Sequence, residues 1–355
     1  MGIARWDLFC RVIDNHGDIG VCWRLAADLA SRGVQVRLWI DDASALRWLA
    51  PDGVEGVTLH GWLDADTDVT PGDVVIEAFG CHLPVGFVRR MAKMPRAPVW
   101  INLEYLSAEP FVERTHCLPS PQPSGPGAGL RKWFFYPGFT ARTGGLIREP
   151  DLARRQQAFN AEDWLRARGV QPREAEQRVS LFCYEQAGLP ALLDRLAQQP
   201  TLLLAAHGQA ARQVAACLGA GLQRGELRAQ LLPALTQRDY DHLLWVCDLN
   251  FVRGEDSFVR AQWAGKPFVW QIYPQSDGAH HSKLEAFLGC FLEEADAALA
   301  SDVRGLHAGW NSAAPVGLPW PDLLPWRRHC HAWRHALHAQ TDLTSQLLGF
   351  VAESR

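Results

Sequence analysis

The chain has 355 residues, 48% of them hydrophobic and 21% charged, with a net charge of −4. That length is generous for one core and suits two domains. The charge argues against a general nucleic-acid-binding surface, and no apolar run of about 18 residues is present to cross a membrane.

The N-terminal residues show no signal-peptide pattern. Nine cysteines, odd in number and without a CxxC pair, suit reduced, mostly buried thiols in a cytoplasmic protein. Fifteen tryptophans are many. Several sit in polar company (Trp39, Trp270, Trp310, Trp320), which suits a carbohydrate or nucleotide cleft as well as core packing.

In chain order, residues 6–13 form an apolar run of strand length. The segment 14–20 breaks it and holds Asp14, Gly17, Asp18 and Gly20. Helical periodicity fills 21–30, Gly33 stops it, and 34–40 reads as the next strand. This is a βαβ unit, and in such units ligands gather at the carboxyl ends of the strands. Asp14 and Asp18 are therefore candidate functional carboxylates. Turn and helix-capping chemistry accounts for them equally well on this evidence.

Strands are expected at 57–60, 73–79 and 98–105, with a helix at 85–93. The Pro/Gly-rich stretch 119–129 reads as a surface loop. The aromatic run 133–139 reads as a buried hairpin strand or as one lining a cleft. Residues 151–168 are charged and helical, and 169–174 are a linker. A second series follows: strand 179–184, helix 190–198, strand 201–206, helix 208–218, strand 229–232, helix 238–247 and strand 249–252. Two such series predict an α/β protein of two doubly wound lobes with a cleft between them.

Past residue 252 comes Arg253-Gly254-Glu255-Asp256-Ser257, then a helix over 258–264 and a strand from 268. Strand, short Gly-containing loop and helix N-terminus is an arrangement that binds phosphate, because backbone N–H groups and the helix dipole face the anion. The chain has neither a P-loop nor a GxGxxG pattern. Glu255 and Asp256 also fit ordinary capping. Two α/β lobes with diphosphate chemistry in the second suggest a nucleotide-sugar transferase of the GT-B architecture.

The stretches 10–21 and 248–267, together with Phe182-Cys183-Tyr184-Glu185 and residues 270–275, resemble the protein-arginine rhamnosyltransferases that modify translation elongation factor P. The resemblance runs from near the N-terminus to about residue 290. It implies an inverting, metal-independent GT-B enzyme without a cofactor. Such an enzyme moves rhamnose from dTDP-β-L-rhamnose to one arginine of elongation factor P, away from nucleic acid and membrane. It implies Rossmann-like lobes at 1–172, for the acceptor protein, and 173–326, for the donor, with C-terminal helices at 327–355 packing back on the first. Asp14, Asp18 and Glu255 take the catalytic positions, with Asp18 as general base. Arg253, Asp256 and Ser257 fall where the family binds the diphosphate. Tyr184, Gln271 and Tyr273 face the donor. Tyr240 lies where an aromatic ring stacks on thymine, and His16 where the family often has phenylalanine.

That acceptor constrains the chemistry. A guanidinium has a pKa above 12 and no free lone pair. Against an ordinary aspartate, prior deprotonation spans roughly 8–9 pKa units, about 12 kcal/mol. Asp14 and Asp18 are therefore expected to grip the guanidinium, with Asp18 accepting the proton as the C–N bond forms. Two other readings remain. One keeps glycosyl transfer with a small-molecule or lipid acceptor, and the other is a nucleotide-diphosphate-binding regulator without catalysis. His329, His331, His335 and His338 sit on a helical stretch. The i,i+4 pair His331 and His335 has zinc-compatible spacing, but a polar helix face explains the group. His280 and His281 follow the 270–275 segment, within reach of the donor or on a loop surface.

Overall fold

The computed structural model describes residues 5–13, 17–274, 278–312 and 318–354. They form two compact units, Met1–Pro150 with Ala339–Arg355, and Asp151–His338.

The first unit contains β1 (Arg5–Cys10), α1 (Gly17–Ser31), β2 (Gln35–Ile40), α2 (Leu46–Leu49), β3 (Val57–Gly61), a 3-10 turn (Trp62–Asp66), β4 (Val74–Ala78), α3 (Val85–Lys93), β5 (Val99–Leu103), α4 (Phe111–Thr115), β6 (Leu118–Pro121) and β7 (Arg131–Phe135). Its sheet runs β3-β2-β1-β4-β5-β7-β6. All pairings are parallel except β6 with β7. β4 and β5 are buried at every position and β1 at all but Arg5. Strands covered on both faces read as continuous apolar runs, which is why the sequence marks them plainly. The one buried charge of β1, Asp7, is compensated. Its carboxylate accepts from Arg37 at 2.6 and 2.8 Å, from Trp39 Nε1 at 2.8 Å and from the Gly72 N–H at 2.6 Å. A buried carboxylate is tolerable only with such a full set.

Residues 119–129, expected as a loop, begin instead as β6. It is the last strand of the sheet, where prolines are tolerated because one side needs no ladder donors. Pro119 and Pro121 sit opposite Trp133 and Arg131.

The second unit contains α5 (Leu152–Ala158), α6 (Ala161–Arg166), β8 (Gln177–Leu181), α7 (Leu189–Leu196), β9 (Thr201–Ala205), α8 (Gln209–Leu218), β10 (Gln223–Arg224), β11 (Leu227–Leu231), α9 (Gln237–Val246), β12 (Leu249–Arg253), α10 (Asp256–Ala264), β13 (Phe268–Gln271), α11 (Ala279–Phe291), α12 (Ala297–Trp310) and α13 (Leu323–His338). Its sheet runs β10-β11-β9-β8-β12-β13 and is parallel apart from the β10–β11 hairpin.

The division falls at Pro150, before the 172/173 boundary read from the sequence. Trp164, Leu165 and Val170 pack into one core with Leu202, Leu204 and Leu243, which draws the 151–170 stretch into the second unit. The C-terminal helices also part company. α13 stays with the second unit, where the His338 ring meets Trp263 at 5.0 Å. α14 (Leu343–Glu353) belongs to the first unit. Its Leu343, Leu347 and Val351 share a core with Leu25, Leu29 and Val36 of that unit. Arg32 bonds Asp342 at 2.8 Å, Asp28 at 2.9 Å and Ser345 at 2.6 Å across the same contact.

Each sheet has a point where the strand order reverses: between β1 and β4 in the first unit, and between β8 and β12 in the second. In open parallel sheets ligands bind beyond the carboxyl ends of the strands at such points.

Candidate active site

The β1/β4 switch point carries Asp18. The residue lies in the first turn of α1, the helix that follows β1 in the chain, and is 3% exposed. Its Oδ2 accepts from the Ile13 N–H at 2.8 Å, and its Oδ1 accepts from the Tyr105 hydroxyl at 3.3 Å. Both partners lie outside α1, so the carboxylate is tied to the ends of β1 and β5 and a purely local helix cap does not account for it. Asp14 and His16 lie outside the described residues.

Tyr105 follows β5 and stacks on Phe79, with ring centres 4.3 Å apart and planes 13° from parallel. Phe79 follows β4 with φ of +58°, a left-handed conformation that bulky residues rarely adopt. Its N–H donates to the Leu103 carbonyl at 2.7 Å, and the next N–H, Gly80, donates to Asn102 Oδ1 at 3.2 Å. Asn102 Nδ2 in turn donates to Glu104 Oε1 at 2.6 Å. Sequence reading missed Tyr105 and Phe79. The available signal was position: each is the aromatic residue that ends an expected apolar strand, 73–79 and 98–105.

The β8/β12 switch point carries the second group. The Arg253 guanidinium, at the end of β12, lies 4.3 Å from the centres of both the Phe182 and Tyr184 rings. The Arg253 N–H donates to Ser257 Oγ at 3.0 Å, and Ser257 Oγ donates back to the Arg253 carbonyl. Gly254 turns the chain at φ +61°. Glu255 holds the N-cap position of α10, yet its side chain makes no capping hydrogen bond. Capping therefore does not explain the residue. Asp256 Oδ2 accepts from Gln237 Nε2 at 3.4 Å.

Gln271 is buried and spans to the neighbouring loop. Its Oε1 accepts from the Tyr184 N–H at 2.8 Å, and its Nε2 donates to the Glu185 carbonyl at 3.2 Å. It clamps the segment that carries Tyr184. Gln213 Nε2 holds the same segment through the Tyr184 carbonyl at 2.9 Å; sequence reading did not single it out. Tyr273 is 39% exposed and meets Tyr184 edge-on at 5.4 Å. Tyr240 meets Phe182 at 5.5 Å, and burial of its hydroxyl raises the phenol pKa. The structure thus gathers Tyr184, Tyr240, Arg253, Glu255, Asp256, Ser257, Gln271 and Tyr273 around one turn.

His329 Nε2 lies 2.7 Å from the Phe291 carbonyl oxygen, and burial pushes His331 down. The His280 and His281 rings lie 4.1 Å apart, tilted by 36°, at the start of α11. Among the described residues, no group of three or more His, Cys, Asp or Glu is placed to hold a metal ion. Burial pushes the Cys183 thiol up to about 12 and the Cys117 thiol up to about 11, so neither is activated.

Two Rossmann-like units, the second with a cation, a hydroxyl and a helix N-terminus at its switch point, define a glycosyltransferase of the GT-B class. The model of the family described as Elongation-Factor P (EF-P) rhamnosyltransferase EarP matches residues 6–352, and the chain belongs to that family. Protein-arginine rhamnosyltransferases from Pseudomonas aeruginosa and Pseudomonas putida are 43% and 45% identical to it, each over 99% of this chain and 100% and 99% of the relative. A solved structure described as "Structural basis for EarP-mediated arginine glycosylation of translation elongation factor EF-P" superposes with a TM-score of 0.71 at 33% identity, covering 99% of this chain and 100% of that one. The spinosyn rhamnosyltransferase SpnG, at 13% identity and a TM-score of 0.54 over 99% of this chain and all of its own, shares the fold alone.

Proposed function

We propose that the protein transfers L-rhamnose from dTDP-β-L-rhamnose to one arginine side chain of translation elongation factor P, in the cytoplasm, inverting the anomeric carbon and using neither metal nor cofactor. The observation that carries the reading is the buried, doubly hydrogen-bonded Asp18 at the β1/β4 switch point of a chain that matches the family over nearly its whole length.

The second unit holds the donor. Arg253 and the first-turn N–H groups of α10 take the diphosphate, Tyr240 packs on the base, and Tyr184 and Tyr273 flank the sugar. Glu255 accepts from a rhamnose hydroxyl. In the first unit Asp18, together with Asp14, grips the acceptor guanidinium by charge-assisted bonds. One guanidinium nitrogen attacks the anomeric carbon as the bond to the diphosphate oxygen breaks. The proton released from that nitrogen passes to Asp18, and the electron pair leaves with dTDP, where Arg253 offsets the growing negative charge.

Intact mass spectrometry of elongation factor P after incubation with the protein and dTDP-β-L-rhamnose tests the reading. One added rhamnose, mapped to one arginine and unaffected by EDTA, is expected. A short linear peptide around that arginine should be a poor acceptor, because it cannot contribute remote binding energy from the folded domain. An unmodified factor, or turnover abolished by EDTA and restored by metal, contradicts the proposal. Equal catalytic efficiency on the peptide contradicts recognition of the folded acceptor.

A further inference from the structure

Asp18 does not stand alone at the β1/β4 switch point. The hydroxyl of Tyr105 donates to one of its oxygens at 3.3 Å while the Ile13 N–H donates to the other at 2.8 Å. One bond to each oxygen fixes the plane of a carboxylate, and a guanidinium is a planar, directional donor that reads that plane. The ring bearing the hydroxyl is itself held. It stacks on Phe79 at 4.3 Å, and Phe79 sits at φ +58°, a conformation retained only where the surroundings impose it. The surroundings here are specific: the Phe79 and Gly80 N–H groups bond Leu103 and Asn102 of β5, the strand that Tyr105 follows. Strain of this kind concentrates at functional sites.

We propose that Tyr105 is a positioning residue for the acceptor step: braced by Phe79, its hydroxyl orients the Asp18 carboxylate toward the guanidinium. The proposal rests on the reading of Asp18 as the proton acceptor. It adds a residue from the segment that follows β5, acting through Asp18 and not on the donor.

The test is a double-mutant cycle on single-turnover rates with intact elongation factor P, alongside donor affinity by calorimetry. Tyr105→Phe keeps the ring and its stack and removes only the hydroxyl. It should slow the single turnover roughly 10–100-fold, the usual effect of deleting a hydrogen bond to a charged group, with donor affinity within about twofold of wild type. Phe79→Leu, which loosens the brace and keeps the hydroxyl, should slow it by a smaller factor. In an Asp18→Asn background, Tyr105→Phe should add less than about twofold, because the carboxylate it orients is gone. Wild-type rates in Tyr105→Phe beside a crippled Asp18→Asn overturn the proposal and leave Asp18 in place. Fully additive losses in the double variant also overturn it, since Tyr105 would then act by another route. A near-wild-type Asp18→Asn removes the reading of Asp18, and the role of Tyr105 with it.

Discussion

Arg253 shows how one residue organises a candidate binding site. Its guanidinium rests against two aromatic rings, Phe182 and Tyr184, each 4.3 Å away, while its backbone is tied in both directions to Ser257 Oγ. A guanidinium stacked on rings is pre-oriented, so less freedom is lost when it meets a phosphate. The double variant Arg253→Ala with Ser257→Ala should therefore weaken dTDP binding by more than about 1.5 kcal/mol, over tenfold by calorimetry. Unchanged affinity would remove the β8/β12 switch point as the donor site. The sequence named Arg253 and Ser257 through the shape of the loop and through resemblance. It named Gln271 as donor-facing, whereas its amide spans to the backbone at Tyr184 and Glu185. A side chain's partner across a sheet is a tertiary fact that spacing along the chain does not encode.

At the scale of elements, burial explains what was legible. β4 and β5 are covered on both faces and stand out as apolar runs, and α3 was located at its observed ends, 85–93. β6 was not legible, because prolines in an edge strand look like prolines in a loop. β10 is two residues long and carries no pattern at all. The split of the C-terminal helices was equally hidden: α13 and α14 both present an apolar stripe, and nothing local states which core each will join.

One helix carries a pH dependence. His307 of α12 is fully buried, its Nδ1 2.9 Å from the Val303 carbonyl, and burial pushes its pKa down to about 4. The unfolded chain, with an ordinary histidine near 6.5, binds the proton first as pH falls. The neutral side chain therefore favours the fold above about pH 6.5, and that contribution is lost progressively down to about pH 4. The expected loss is about 2–3 kcal/mol, read as a falling urea midpoint between pH 7 and pH 4.5. His307→Gln, which cannot titrate, should flatten that slope even if it lowers the midpoint at pH 7. An unchanged slope in the variant would assign the acid sensitivity to other groups.

On the scale of the whole molecule, the chain repeats one solution twice. Each unit is an open parallel sheet whose reversal point exposes strand ends, and each reversal point carries its own chemistry: Asp18 with Tyr105 in one, Arg253 with Ser257 in the other. The two-series pattern made the pair of sheets readable from the sequence. The unit boundary was harder to read, because α6 and the turn after it are held by apolar contacts with β9 and α9 that only the folded chain brings together.

This division of labour is the central claim, and Asp18→Asn tests it most directly. The change keeps size and one accepting oxygen while removing the charge. The measurement is dTDP-β-L-rhamnose affinity by calorimetry beside the single-turnover rate of transfer to elongation factor P. Affinity should stay within about 0.5 kcal/mol of wild type, since the substitution lies outside the unit proposed to hold the donor. The rate should fall roughly 10²–10⁴-fold, the usual contribution of a positioned base. A near-wild-type single-turnover rate in Asp18→Asn would contradict the account and return the loop after β1 to a structural turn.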